Sequence, residues 1–350
     1  MQKINAGRYF EDFSLGAVIQ HATPRTITAG DSALYMGLYG ARQPLFCSAP
    51  FAQAMGYPEM PIDDLLVFHI AFGKTVPDIS VNAVANLGYA DVRFQRPAYV
   101  GDTLSTTSEV IGLKQNSNGK SGVVWVRSTS TNQRGEIVLS WVRWVMVHKN
   151  NMTATAPTTI VPALPEFVDA AHLALPLANA SDTLISQATG SQHFWEDYTI
   201  GEQISHPSGI TINDSDHSMA THLYQNNARL HFDAHMMQTR QFGKRLVYGG
   251  VIISICRALS YEGLENALSI AAINAGTHAN PSFAGDTIYT RSEVLDKWVL
   301  NAQTSALRLR MIGIKNLAST DLPFVRENGT YHPNVVLDLD YTVLMPRKTT

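Results

Sequence analysis

The sequence predicts an α+β protein built from two like halves, each an antiparallel sheet wrapped around one buried helix. Three observations carry this: an internal repeat, one helical stretch per repeat that is apolar nearly all round, and long β-rich runs after each such stretch. The repeat is plainest where Tyr9-Phe10-Glu11-Asp12-Phe13-Ser14-Leu15-Gly16 returns as Phe194-Trp195-Glu196-Asp197-Tyr198-Thr199-Ile200-Gly201, and 194 − 9 sets an offset of 185. At that offset His21 meets His206, Asp31 meets Asp216, and Leu45-Phe46 meets Leu230-His231 without a gap. Farther on, the segment from Pro97 to Leu104 recurs from Pro281 to Ile288, where 281 − 97 is 184.

In chain order, residues 1–150 make the first half, 151–185 a linker and 186–350 the second half. Within the first half, Asp64 to Phe72 has apolar residues on nearly every face, as has Gly250 to Leu259 in the second, so both helices must be buried. The runs Val123 to Thr131, Ile137 to Val147, Ser305 to Ile314 and Val335 to Leu344 are dense in β-branched and aromatic residues and read as strands. Alternation in Leu307-Arg308-Leu309-Arg310-Met311 fits a sheet with one covered and one wetter face. The linker opens with a Thr, Ala and Pro-rich stretch from Asn150 to Pro165, after which Phe167, Ala170, Ala171 and Leu173 suggest a short bridging helix. A sheet around a central helix is the hotdog fold, and two in tandem make a double hotdog whose sheets join side by side.

Composition narrows the function classes. The 350 residues are 45% hydrophobic and 16% charged, with 26 Lys+Arg against 29 Asp+Glu for a net charge of -3. No broad basic field is available for nucleic acid or an anionic membrane. Cys47 and Cys256 are too few for a disulfide framework or a thiolate metal site, so a reducing cytoplasm is expected. The opening residues from Met1 to Asn5 lack a signal peptide's apolar core, and stretches such as Val251 to Cys256 are too short to span a bilayer.

The chemistry concentrates in the second half. The loop from Tyr224 to Asp233 leads to Phe242-Gly243 and then to Arg245-Leu246-Val247-Tyr248-Gly249-Gly250, which opens the buried helix. This resembles the MaoC-like dehydratase family, the R-specific enoyl-CoA hydratases, whose loop runs G-D-x-N-P-x-H-x-D with an F-G eleven residues past the His. Here 242 − 231 is 11. The resemblance covers both halves outside Asn150 to Gln192. It implies that the family's catalytic His falls on His231, its catalytic Asp on Asn226 and its Asn on Ala228. In the first half Ala41 and Phe46 stand at the positions of the acid and the His, so only the second half is expected to carry out the reaction.

The loop variant, together with Ala272-Ile273-Asn274-Ala275-Gly276, is similar to the mesaconyl-CoA hydratase branch of that family, also called β-methylmalyl-CoA dehydratase. The resemblance implies reversible hydration of an unsaturated dicarboxylic acyl-CoA thioester, without a cofactor or metal, by a homo-oligomer. Such a substrate carries a free carboxylate on the carbon that receives water, and an aspartate beside it would add a second negative charge. Asn226 keeps the hydrogen-bonding shape without the charge, and Arg229 offers a fork for bidentate carboxylate recognition. His231 is the candidate proton carrier, backbone N–H groups of Gly249 and Gly250 are placed to face the developing enolate, and Tyr248 either walls the acyl pocket or packs against the helix.

Other readings stand beside these. An R-specific hydratase for uncharged acyl chains, a non-catalytic acyl-CoA-binding double hotdog and a thioesterase share the same fold. Asp63-Asp64, placed opposite Gly249-Gly250, are expected to cap the first central helix. His217 and His222 read as partly buried structural histidines, and His231 with His235 lacks the glutamate of a zinc helix motif.

Overall fold

The computed structural model describes residues 3–174, 181–318, 323–326 and 328–348. Ten strands make one antiparallel sheet: β1 (Val18–Thr26), β2 (Ala83–Phe94), β3 (Thr103–Gln115), β4 (Ser121–Thr131), β5 (Ile137–His148), β6 (Gln203–Thr211), β7 (Ser269–Thr277), β8 (Thr287–Val299), β9 (Thr304–Lys315) and β10 (Val335–Pro346). Their order, β1-β3-β4-β5-β2-β7-β10-β9-β8-β6, repeats one five-stranded pattern in reverse. The halves join where β2 pairs with β7, and there Ala90 stands opposite Ala275, again 185 apart. The same offset recurs where the Tyr39 and Tyr224 hydroxyls meet at 2.7 Å and where His69 Nε2 lies 3.0 Å from Ser254 Oγ. These three contacts trace a pseudo-twofold axis through the molecule.

Each half wraps around its own helix, Asp64–Ile79 in the first and Gly249–Leu259 in the second. Leu65, Leu66, Phe68 and Ile70 share one core with Val251, Ile252, Ile255 and Cys256. Each such side chain contributes about 1.5–3 kcal/mol of burial free energy. The first helix runs seven residues past Phe72 because Gly73 and Pro77, which interrupt the apolar pattern, are accommodated in its later turns. Its cap, Asp63, corresponds to Tyr248 at the 185 offset and Asp64 to Gly249, so the acidic pair is set back one residue from Gly249-Gly250.

On the outer face of the second half, Arg308 and Arg310 reach across from β9 to Asp340 and Asp338 on β10, which accounts for the alternation in those strands. The linker packs rather than swings free. Phe167 stacks on Trp298 at 5.6 Å, and the Val168 N–H donates to Asn274 Oδ1 at 2.9 Å. The expected bridging helix is only a 3-10 turn, Ala170–His172, because Leu173 already turns into the sheet with Val168, Ala271 and Leu344. Residues 175–180 of the linker lie outside the described residues. The helix Asp182–Thr189 then crosses the 185/186 boundary, with Ile185 packed between Leu45 and Phe194.

Candidate active site

His231 sits in a 3-10 turn, Arg229–His231, and is 8% exposed. Its Nδ1 lies 2.8 Å from the Leu246 carbonyl oxygen, which can only accept, so Nδ1 carries the proton and Nε2 keeps its lone pair. Burial pushes the imidazole down to about 4 against the opposing pull of that carbonyl, and this keeps it neutral. The Tyr248 ring packs edge-on against it at 5.4 Å. Directly after Tyr248, the second central helix begins at Gly249 with no side-chain cap, whereas Asp63 caps its twin by accepting from the Leu65 N–H at 2.9 Å. The second half therefore leaves helix N-terminal N–H groups open beside a neutral imidazole, and the first half has closed its own.

The loop ahead of His231 is held by the opposite half. Gln225 adopts a left-handed conformation, φ 51°, as does Gly40 at the equivalent position, φ 61°. A non-glycine residue there costs about 1–2 kcal/mol, and the side chain offsets this by accepting a hydrogen bond from buried Lys74. Arg25 donates to the Leu223 carbonyl. Gly73 lies beneath the loop so closely that a Cβ would collide with the Tyr224 carbonyl. Asn226 is buried, and its Oδ1 accepts from the Ala228 N–H at 3.0 Å, closing an Asx turn that shapes the approach to His231.

Gly249 and Gly250 are required by contact. A Cβ on Gly249 would stand 2.5 Å from the imidazole of His278, and one on Gly250 would lie 2.8 Å from His69. His278, at the end of β7, is half-buried, and burial followed by the proximity of His231 depresses it to about 4. Sequence reasoning missed this residue; a histidine two positions after the Ala272-Ile273-Asn274-Ala275-Gly276 segment was the available signal. Tyr248, directly ahead of Gly249 and Gly250, packs against His231, while Asn226 shapes the loop before it and Arg229 is exposed at the loop's rim. His217 is buried, but His222 is exposed and faces Phe232, contrary to the partly buried position expected of it. Among the described residues, no group of three or more His, Cys, Asp or Glu could hold a metal ion. No helix among them is long and apolar enough to cross a membrane.

Comparison with known proteins gives the family. Residues 2–312 match the family model for mesaconyl-CoA hydratase. The chain is 56% identical over 348 residues to the β-methylmalyl-CoA dehydratase of Chloroflexus aurantiacus, covering 99% of both chains. It is 53% identical to the mesaconyl-CoA hydratase of Cereibacter sphaeroides, covering 99% of this chain and 100% of that one. A solved structure of a MaoC domain protein dehydratase from Chloroflexus aurantiacus superposes with a TM-score of 0.98 at 55% identity, covering 100% of both chains. A Mycobacterium tuberculosis protein with a double hotdog fold, 24% identical over 97% of this chain and 99% of its own, superposes with a TM-score of 0.75 and supports the fold alone. With its repeat, its loop register and its helix N-terminus accounted for, the chain belongs to the mesaconyl-CoA hydratase family.

Proposed function

We infer that the protein is a hydro-lyase that interconverts mesaconyl-CoA and β-methylmalyl-CoA. The observation that carries the reading is the neutral His231, fixed in one tautomer by the Leu246 carbonyl and set beside the uncapped start of the second central helix. His231 Nε2 takes a proton as water adds to the carbon bearing the free carboxylate. The thioester oxygen, gaining charge, lies against the Gly249 and Gly250 N–H groups, where the helix dipole adds to their pull. The imidazolium then returns a proton to the α-carbon, so that one water has been added and the histidine is neutral again. Asn226 holds the loop without placing a charge beside the substrate carboxylate, and Tyr248 walls the acyl pocket. Arg229, at the exposed rim, attracts the anionic thioester, a contribution of about 0–1 kcal/mol for a solvated charge.

Identity above half over nearly the full length of two relatives named for this reaction supports the substrate class. The reading further includes a cytoplasmic homodimer, for which light scattering on the purified protein is the direct check. Hydration of mesaconyl-CoA measured against crotonyl-CoA, with free thiol followed in parallel, tests the activity. Preference for crotonyl-CoA would favour an uncharged-chain hydratase, and thiol release a thioesterase. Binding without either would mark a non-catalytic protein.

A further inference from the structure

Arg143 is the anomaly of the first half. It sits on β5 in phase with inward-facing Trp141 and Val145 and is 1% exposed. Its guanidinium lies 4.5 Å over the Phe72 ring. Among the described residues its one hydrogen bond is a long one, 3.4 Å to the Thr75 carbonyl, and Nε has no partner. Among the described residues no carboxylate comes within ion-pair distance of it. Four other sheet arginines are neutralised: Arg308 by Asp340, Arg310 by Asp338, and Arg93 and Arg127 by Asp91. Burial alone pulls the Arg143 guanidinium down to about 9. A buried charge without a counter-ion is costly, and leaving it so is expected only where something supplies the missing anion.

The pseudo-twofold axis places a second buried arginine for comparison. The twin of Phe72 is Arg257, since 257 − 72 is 185, and Arg257 is also buried. Arg257 lines a cavity with Tyr35, Ser254, Asp63 and Asp64 on the first half's side of the axis, so two acidic side chains, both raised by burial above the ordinary carboxylate range, share its surroundings, and it donates to the Ala267 carbonyl. In the working half the aspartate positions hold Tyr248 and Gly249, and the carboxylates are gone. From Arg143 the path to the reacting groups runs over Phe72, whose ring is 6.3 Å from Tyr248, and on to His231, 5.4 Å beyond. We propose that Arg143, contributed by the first half, is the specificity-determining residue that pairs with the free carboxylate of the substrate in the second half's site. Acidic side chains of the protein share the surroundings of Arg257 in the degenerate half, and the substrate supplies the acid in the working one.

This inference rests on the dicarboxylic reading of the substrate, and its test separates the two. Wild type, Arg143→Met and Arg143→Lys are compared on mesaconyl-CoA and on tiglyl-CoA, which carries a methyl where mesaconyl-CoA has its carboxylate. Arg143→Met is expected to lower kcat/KM on mesaconyl-CoA by about 100-fold while tiglyl-CoA stays within about threefold, with Arg143→Lys between. Calorimetric binding of the unreactive pair succinyl-CoA and butyryl-CoA supplies a readout independent of turnover. The preference of wild type for succinyl-CoA should fall at least about tenfold in Arg143→Met. Equal losses on both substrates, or an unchanged succinyl-CoA preference, overturn the assignment. A wild type inert toward mesaconyl-CoA overturns the activity reading, while the binding pair still decides the role of Arg143. If Arg143→Met does not fold, by circular dichroism, the same ratios are read from Arg143→Lys.

Discussion

Acid should spare this enzyme more than an ordinary histidine would allow. The perturbation is pH, and the group that senses it is His231, depressed by burial from 6.5 to about 4. A base works only unprotonated, so a lower value extends activity toward acid. At pH 5.5 an imidazole titrating at 6.5 is about 9% neutral, whereas one near 4 is about 97% neutral, a tenfold difference in competent enzyme. The assay is kcat/KM on mesaconyl-CoA between about pH 5 and 8, followed by loss of the conjugated enoyl thioester absorbance, with circular dichroism at each pH to confirm folding. Because kcat/KM reports the free enzyme, the acid limb reads this imidazole without bound substrate. Half-loss of activity near pH 6.5 in folded protein would refute the argument, since His231 would then be in contact with water.

Replacing His231 with Ala should cost at least about 100-fold in kcat, whereas Phe46→Ala in the other half should cost about 3 kcal/mol of stability with kcat retained; near-normal turnover in folded His231→Ala would sink the assignment. Asn226→Asp can still accept the Ala228 N–H and should fold, yet hydrate mesaconyl-CoA more slowly and a neutral enoyl-CoA no worse, with partial rescue at lower pH; faster mesaconyl-CoA hydration at neutral pH would argue against a substrate carboxylate there. Gly73→Ala should displace the Tyr224 carbonyl, lowering stability by about 1–3 kcal/mol and kcat with it, and a crystal structure with an unmoved loop would contradict this. His69, held neutral by burial at about 3, refuses a proton that the unfolded chain accepts below 6.5. Its contribution is therefore present above 6.5 and is lost toward pH 3 at up to about 1.4 kcal/mol per pH unit, a slope that His69→Gln should remove from denaturant titrations.

Much of this architecture is written in the chain because the repeat is. An offset of 185 predicts two equal folds, and the apolar stretches starting at Asp64 and Gly250 need a sheet around them. The loop register places His231 for the same reason, since eleven residues separate it from Phe242. What the sequence conceals is whatever depends on the two halves meeting. Lys74 and Arg25 brace a loop some 150 to 200 positions away, and the approach of Gly73 to Tyr224 has no local signature. Arg143 carried a readable clue, an arginine in phase with Trp141 and Val145 on a buried strand, yet only the fold reveals that no carboxylate among the described residues waits for it. Arg229, a charge in the right loop, attracts attention by position although its side chain lies in solvent.

The contact between His69 and Ser254 has a consequence for how such a protein can change. Where two identical chains associate about a true symmetry axis, a residue on that axis must face its own copy, and every substitution is made twice. Imidazole would then confront imidazole, or hydroxyl another hydroxyl, and a ring paired with a hydroxyl would be out of reach. Covalent fusion removes that obligation. One side has become a ring and the other a hydroxyl, 3.0 Å apart, and the two halves can accumulate different residues without passing through a doubly altered intermediate. Two second halves expressed alone and paired with each other would restore the obligation, setting Ser254 against Ser254 and leaving each reactive loop without Lys74, Arg25 and Gly73 beneath it.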